Sequence, residues 1–142
     1  GEYLVVGFSD GSLELFPLVG GREKPAYPFE EVPSSPVVHL QDGPLDTLIA
    51  GFANGQVGIW YRANGQRLRH AQVHGPVSHM LLDGNTLHVA SELGDHAALD
   101  LSAYFLDECA LLRSVWDSVP VVWESGLPVR RDAPTGHRCT AP

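Results

Sequence analysis

Histidine is the residue type that most suggests a chemical function in this chain, because seven of its 142 residues are histidines. His70, His74 and His79 are four and five positions apart, and Zn²⁺ binds imidazole nitrogen well. A zinc site is therefore one interpretation of this spacing. The alternative is that these histidines pack within a sheet or lie on its surface. An internal repeat in the sequence favours this alternative, because it places the three histidines on two strands and the connection between them. The same repeat matches His39 with His79.

A second candidate group of metal ligands consists of Cys109 and the segment His137, Arg138 and Cys139 near the end of the chain. These residues could form half of a zinc site, but the C-x-x-C partner that such a site needs is absent. Two cysteines are also too few for a disulfide scaffold. Cys109 is therefore interpreted as a small buried apolar residue.

Catalytic patterns are missing from the sequence. It contains no G-x-S-x-G elbow and no glycine-rich phosphate loop of the G-x-x-x-x-G-K-[ST] or G-x-G-x-x-G type. Glu30 and Glu31 are adjacent, so on an extended segment they point apart and suit solvent better than acid–base work. The sequence predicts no enzyme activity, with no catalytic, cofactor-binding or metal-binding residue and no cofactor.

Charge and composition limit the classes of partner. The chain has 9 Lys+Arg against 17 Asp+Glu, a formal charge of −8, which argues against a broad nucleic-acid or anionic membrane surface. Arg130, Arg131 and Arg138 form the one basic cluster, interpreted as a solvated linker with a docking peptide as the alternative. No apolar run reaches the ~18 residues of a membrane span. Because the first residue is Gly1 rather than Met, we expect a part of a longer polypeptide.

The strongest signal is an internal repeat. One element reads LVVGFSDGSLELF from residue 4 and LIAGFANGQVGIW from residue 48, with a weaker copy, HVASELGDHAALDL, from residue 88. A second element reads PVVHLQDG from residue 36, PVSHMLLDG from residue 76 and PVVWESG from residue 120. Both elements return after about 40 to 45 residues, a period typical of repeat architectures.

Each repeat unit is expected to contain four strands. Short apolar runs alternate with turn pairs such as Asp10-Gly11 and Asn54-Gly55, a pattern typical of hairpins. In the unit from Pro36 to Gly75 the predicted strands are Val37 to Leu40, Thr47 to Phe52, Gln56 to Tyr61 and Arg67 to Val73. Four antiparallel strands in such a unit predict a β-propeller blade. The unit from Pro76 to Val119 is expected to be a second complete blade, the first unit enters at its second strand, and the last ends after Val121 to Glu124.

Three segments fit this pattern less well. Residues 101–116 have partial helical spacing, so a helix is an alternative there to the fourth strand of a blade. Residues 20–36 contain four prolines, which favour a loop with an edge strand. The segment from Leu127 is expected to lack regular structure. The predicted organisation is a propeller segment over residues 1–126 and a proline-containing tail over residues 127–142.

The repeat resembles the WD-repeat β-propeller family. The matching pieces are Ala50-Gly51, Asn54-Gly55, Ile59-Trp60, Asn64-Gly65, Leu68-Arg69, His74 and Pro76-Val77. Phe16 and Asp100 stand where Trp60 does, and the family's network of His, Ser or Thr, Asp and Trp is incomplete in every unit. Quinoprotein-like propellers are a related alternative. The repeat places Trp60 and Phe16 in the core, and a core position is also favoured for Trp116 and Trp123.

The resemblance implies a scaffold or sensor domain that binds a protein, and this function rests on analogy of fold. An open row of blades would expose sheet edges and apolar faces. We therefore expect the ring to be completed by other polypeptide, or by copies of the chain. The alternatives are a regulatory or substrate-binding fragment of a protease- or kinase-type enzyme, and a sugar-binding homo-oligomer. A cytoplasmic location is the default expectation.

Overall fold

The computed structural model describes residues 3–18, 28–132 and 134–140. The first part of the proline-rich segment, including Pro25, and the end of the tail, including Pro142, lie outside the described residues. In the described parts the strands are, in order, β1 Tyr3–Gly7, β2 Leu13–Pro17, β3 Val37–Asp42, β4 Thr47–Phe52, β5 Gln56–Tyr61, β6 Arg67–Gln72, β7 Val77–Asp83, β8 Thr86–Ser91, β9 His96–Asp100, β10 Val121–Glu124 and β11 Leu127–Arg130. A 3₁₀ turn, Ser102–Phe105, and a helix α1, Glu108–Ser118, lie between β9 and β10.

The strands form four antiparallel sheets, each with its strands in chain order. Sheet I is β1-β2, sheet II is β3-β4-β5-β6, sheet III is β7-β8-β9 and sheet IV is β10-β11. The chain divides into two compact units, Gly1–Leu101 and Ser102–Pro142. The first unit therefore holds sheets I to III, and the second holds α1 and sheet IV. The expected all-β class with four-stranded propeller blades is confirmed.

Sheet II is the complete blade. Strands β4 and β5 have the predicted bounds, β3 extends two residues further than predicted and β6 ends one residue earlier. Gly55 lies between β4 and β5 with φ +83, a conformation that glycine adopts without steric cost. The period-two alternation and the turn residues were sufficient to place these strands.

The second complete blade that the repeat predicts is wrong in its fourth strand. Sheet III has three strands in the described residues, and α1 occupies part of the segment 101–116 in which the fourth strand was expected. The local signals for a helix are strong, since the Asp107 carboxylate accepts the Ala110 backbone N–H at 2.7 Å and Glu108 lies in the first turn. Local capping and helical spacing therefore prevailed over the repeat.

The segment after Glu124 also differs from expectation. Strand β11 pairs with β10 in register from Val121↔Arg130 to Glu124↔Leu127, although the residues from Leu127 were expected to be irregular. Ser125 and Gly126 both have positive φ, 50 and 82, as a two-residue hairpin turn requires. The proposed domain boundary after residue 126 stays a prediction.

Two cores lie on opposite faces of sheet II. On one face a cluster includes Leu48, Phe52 and Trp60 together with Leu13 and Leu15 of sheet I. On the other face Gly51 lies against Val77 and Met80 of sheet III, and Ile49 and Ile59 are buried. The three sheets of the first unit are thus packed in succession, as blades are. None of the described helices is long and apolar enough to span a bilayer.

Candidate functional site

The histidines do not gather into a metal site in the part of the chain that the structure describes. His70 is on β6, His74 follows it and His79 is on β7, and no group of three His, Cys, Asp or Glu side chains is close enough to hold an ion among residues 3–18, 28–132 and 134–140. His39 and His79, matched by the repeat, stack with ring centroids 6.5 Å apart. The prediction that the protein needs no metal remains untested.

The two cysteines form a disulfide. Cys109 on α1 is bonded to Cys139, thirty residues away, so the interpretation of Cys109 as an isolated apolar residue is wrong, and neither thiol is available for half of a zinc site. Arg138 pairs with Glu108 and Arg131 pairs with Glu124, so part of the basic cluster is used within the second unit. Cysteine spacing alone could not reveal the bond, because pairing depends on how α1 and residues 134–140 meet.

The polar turns between strands are structural. The Asp10 carboxylate accepts the Ser12 backbone N–H at 2.9 Å and Asn54 Oδ1 accepts that of Gln56 at 3.1 Å. Asp95, in the third copy, accepts backbone N–H groups from His74 at 2.7 Å and His96 at 2.9 Å. These bonds, the one from His74 first, lower the pKa of Asp95 from its ordinary value of 3.8. These hydrogen bonds order the backbone of the turns.

On the face of sheet II that packs against sheet I, apolar side chains are buried by the neighbouring sheet. Leu48 and Trp60 are paired across β4 and β5, as are Ala50 and Gly58. Leu48 is 2% exposed, and Ala50, Phe52 and Trp60 are fully buried. This set belongs to the core that joins the two sheets.

Sheet I carries the same apolar set on the face that points away from sheet II. Because side chains alternate along a strand, Val5, Leu13 and Leu15 face the core, and the alternate residues face the other side. We call this second side the outer face of sheet I, formed by Leu4, Val6, Phe8, Glu14 and Phe16. Leu4 pairs with Phe16 and Val6 with Glu14, in the same arrangement as the set on sheet II.

The outer face of sheet I is exposed where its counterpart is buried. Leu4 is 52% exposed and Phe8 is 38% exposed, whereas their repeat equivalents Leu48 and Phe52 are buried. Phe16 is half-buried and lies outside the core cluster, so its predicted core position is wrong, while that of Trp60 is confirmed. The one polar residue of the face is Glu14, which replaces Gly58.

Sheet III exposes a different kind of surface. Leu81, His88 and Ala98 are directly opposite one another across its three strands, and with Ala90 they form what we call the outer face of sheet III. Leu81 is 63% exposed. The register also places Asp83, Thr86 and Asp100 on this side of the sheet, so the face carries two carboxylates at one end.

The turns that follow β4 and β8 match, with Gly55 N–H donating to the Phe52 carbonyl and Gly94 N–H to the Ser91 carbonyl. Counted from these turns, His88 and Ala98 correspond to Ile49 and Ile59, which are buried between sheets II and III. The repeat alignment, which matched Ile49 with Val89 and Ile59 with Leu99, is therefore wrong by one residue in the third copy.

The second unit presents its own aromatic groups. Trp123 on β10 is 74% exposed, so the favoured core position for this residue is wrong. Trp116 on α1 meets the His137 ring edge to face at 5.4 Å and is half-buried. A cleft of about 480 Å³ lies beside it, lined by Arg113, Trp116, Asp117, Thr135, Gly136 and Thr140.

Sequence reasoning found the repeat positions but missed which faces would be left exposed. The signal was present, because Glu14 interrupts an apolar set at the position where the complete blade has glycine. Ionisable side chains are rarely buried in a protein core. Glu14 therefore indicated that this face of sheet I does not lie in the core of the single chain.

Comparisons with known proteins support the fold. No protein-family model and no curated protein sequence matches the chain. Among solved structures, the chain is similar to the WD40 domain of coronin from Toxoplasma gondii, with a TM-score of 0.63, 13% identity and coverage of 72% of this chain and 29% of that one. Sqt1 from Saccharomyces cerevisiae gives a TM-score of 0.59 at 17% identity, covering 70% and 28%. BamB from Moraxella catarrhalis gives 0.55 at 18%, covering 70% and 29%.

These likenesses show a WD-repeat-like β-propeller fold. The chain spans less than a third of the length of each of these three proteins.

Proposed function

We propose that this chain is a non-catalytic protein-interaction scaffold that docks onto a protein partner, or onto further parts of its own polypeptide, through the outer face of sheet I. The observation that supports the proposal is the contrast between equivalent positions: Leu48 and Phe52 are buried under a neighbouring sheet, and Leu4 and Phe8 are exposed. A face with this composition gains free energy when another surface covers it.

The gain comes from the part of each apolar side chain that is still exposed, 52% for Leu4 and 38% for Phe8. Full burial of a large apolar side chain contributes roughly 1.5–3 kcal/mol, and four of the five residues of the outer face of sheet I are apolar. Part of the gain offsets the loss of translational and rotational freedom on binding. Contiguous apolar patches on folded proteins are typical of protein-binding surfaces.

The proposal is tested by site-specific photo-crosslinking in the cells that make the protein. A photo-reactive phenylalanine analogue is placed at Phe8 in one variant and, as a matched control, at Phe105 in another, because Phe105 is 42% exposed and lies in the second unit. We expect a discrete protein adduct from position 8 that is absent from position 105 and is lost when Leu4→Asp is added.

The mass of the adduct identifies what covers the face, and a second copy of the chain counts as a protein partner. A position-8 variant that forms neither a protein adduct nor, by peptide mass spectrometry, a crosslink to another part of its own polypeptide, with unchanged circular dichroism, would contradict the proposed function.

A further inference from the structure

We infer that the outer face of sheet I binds the outer face of sheet III of a second copy of this chain, in a head-to-tail contact. The inference rests on the proposed function and names its partner. The same contact already occurs twice within one copy, where the Leu48 face of sheet II lies on sheet I and the Leu87 face of sheet III lies toward sheet II. A second copy would repeat that contact with the two faces that are left at the ends of the row.

The two end faces differ in size in a complementary way. Leu4, Val6 and Phe16 are large, whereas the sheet III face has small side chains, Ala90 and Ala98, on two sides of His88. Interdigitation of large with small side chains is how packed interiors reach their density. Leu81, 63% exposed, adds an apolar contact at the edge of the small surface.

Among the polar residues, His88 is a favourable neighbour for Glu14, whereas Asp83 and Asp100, at the end of the sheet III face, would repel it and so restrict the register of the contact. Glu14 would be costly to bury without a hydrogen-bonding partner, and His88 can donate a ring N–H to a carboxylate. A symmetric contact between two sheet I faces would instead bring two Glu14 carboxylates together. The head-to-tail arrangement is therefore favoured over the symmetric one.

The number of sheets is compatible with a closed assembly. Each copy provides three sheets in its first unit, so two copies provide six, and propellers typically have about four to eight blades. A head-to-tail contact closes into a ring when its rotation allows, and otherwise extends. In either case the mass in solution is at least that of a dimer.

The inference is tested by light scattering on the full chain and on two single variants, one for each face. Leu4→Asp disables the sheet I face, and Leu81→Asp disables the sheet III face. We expect the wild type to associate and each variant alone to be monomeric, with affinity lowered about tenfold or more. A one-to-one mixture of the variants should restore a dimer, because each supplies the intact face that the other lacks.

A matched control is Leu45→Asp, since Leu45 is 62% exposed and lies between β3 and β4 in the left-handed region, with φ 44, which Asp tolerates. This variant should associate like the wild type. A second pair tests the polar contact: Glu14→Lys should weaken association, and adding His88→Glu to the same chain should recover it. Circular dichroism confirms that each variant is folded.

A wild-type chain that remains monomeric, a dimer that Leu4→Asp and Leu81→Asp leave intact, or a mixture that fails to associate would each overturn the inference. If the chain is monomeric while position 8 crosslinks to a different protein, the proposed function holds and the second-copy partner does not. If position 8 forms no crosslink at all, either to another protein or within its own polypeptide, both fall.

Discussion

At the residue scale, side chains at the same repeat position differ in burial and contacts from one sheet to the next. Trp60 is fully buried, contacts the rings of Phe29 and Phe52 edge to face, and donates its indole N–H to the Glu30 carbonyl at 2.7 Å. Phe16, its counterpart in sheet I, is only half-buried. The difference arises from the neighbours, because Trp60 lies over Gly58 and the equivalent position in sheet I is occupied by Glu14.

Replacement of Trp60 tests its part in the core. Trp60→Phe removes one buried hydrogen bond and leaves a cavity, so we expect the free energy of unfolding to fall by about 1–3 kcal/mol. Trp123→Phe is the matched control, with a change of less than about 0.5 kcal/mol because that side chain is exposed. Urea denaturation followed by circular dichroism measures both. Equal effects from the two substitutions would contradict the packing described for Trp60.

Gly55 makes a second prediction at this scale. An added Cβ would lie 2.2 Å from the Val73 carbonyl oxygen, whereas at Gly94, with a similar φ of +81, nothing lies within 4 Å. Gly94→Ala should therefore cost about 1 kcal/mol from backbone conformation alone, and Gly55→Ala clearly more. The difference between the urea denaturation midpoints of Gly55→Ala and Gly94→Ala measures the destabilisation caused by the steric clash at Gly55. Indistinguishable midpoints would show that the turn does not approach residues 73–75 so closely.

The Asp95 carboxylate gives a pH-dependent prediction. Its lowered pKa means that folding favours the ionised form, so its stabilising contribution is present above pH 3.8 and is lost as the pH falls through the native pKa. Asp95→Asn should lower the melting temperature at pH 7, and the gap to wild type should narrow below pH 4. Asp83→Asn serves as the control, because Asp83 is also an exposed aspartate. A gap that stays constant over this pH range would exclude the role assigned to the carboxylate.

At the element scale, the second unit depends on a covalent link. Helix α1 has no fully buried residue, and the two strands of sheet IV are largely exposed. Isolated two-stranded hairpins are only marginally stable in water. The disulfide and the Arg113 hydrogen bond to the Cys139 carbonyl, 3.3 Å long, compensate for this small core by holding α1 to residues 134–140.

Removal of the disulfide should therefore destabilise this unit selectively. A closed loop of thirty residues corresponds to about 3–4 kcal/mol of chain entropy in the unfolded state. In a double Cys109→Ser, Cys139→Ser variant we expect backbone amides of α1 to exchange hydrogen much faster, while those of β4 and β5 remain protected. Hydrogen exchange with mass spectrometry measures both. Unchanged protection of α1 would mean that packing alone holds the helix.

At the scale of the whole molecule, the first unit is a row of WD-repeat-like sheets and the second is a disulfide-linked helix and hairpin. The disulfide bears on where the protein is located, because disulfides persist in oxidising compartments and are rare in the cytosol. The expectation of a cytoplasmic location stays a prediction, and the bond argues against it.

Thiol trapping decides between the two locations. We expect Cys109 and Cys139 to resist alkylation when the native source is rapidly quenched with a thiol reagent, and to react after reduction. Rapid labelling of both cysteines without reductant would support the cytoplasmic location instead. Mass spectrometry of the peptides that contain them gives the measurement.

The sequence by itself determined the strands of the complete blade. Turn pairs such as Asn54-Gly55 and the alternation in β5 are local signals, and the physics of tight turns and half-buried strands acts over a few residues. The repeat then identified the propeller class, because one four-stranded module returned with a constant period. The same reasoning failed for α1, where capping by Asp107 outweighed the repeat.

Only the tertiary structure decided which faces are covered and which cysteines meet. Leu4 and Leu48 are equivalent in sequence, yet one is exposed and the other is buried, because burial depends on whether a sheet lies against them. Cys109 and Cys139 are joined because α1 and the residues 134–140 fold against each other. Contacts between residues far apart in the chain are not encoded in local pattern, and the candidate interaction surface is a property of such contacts.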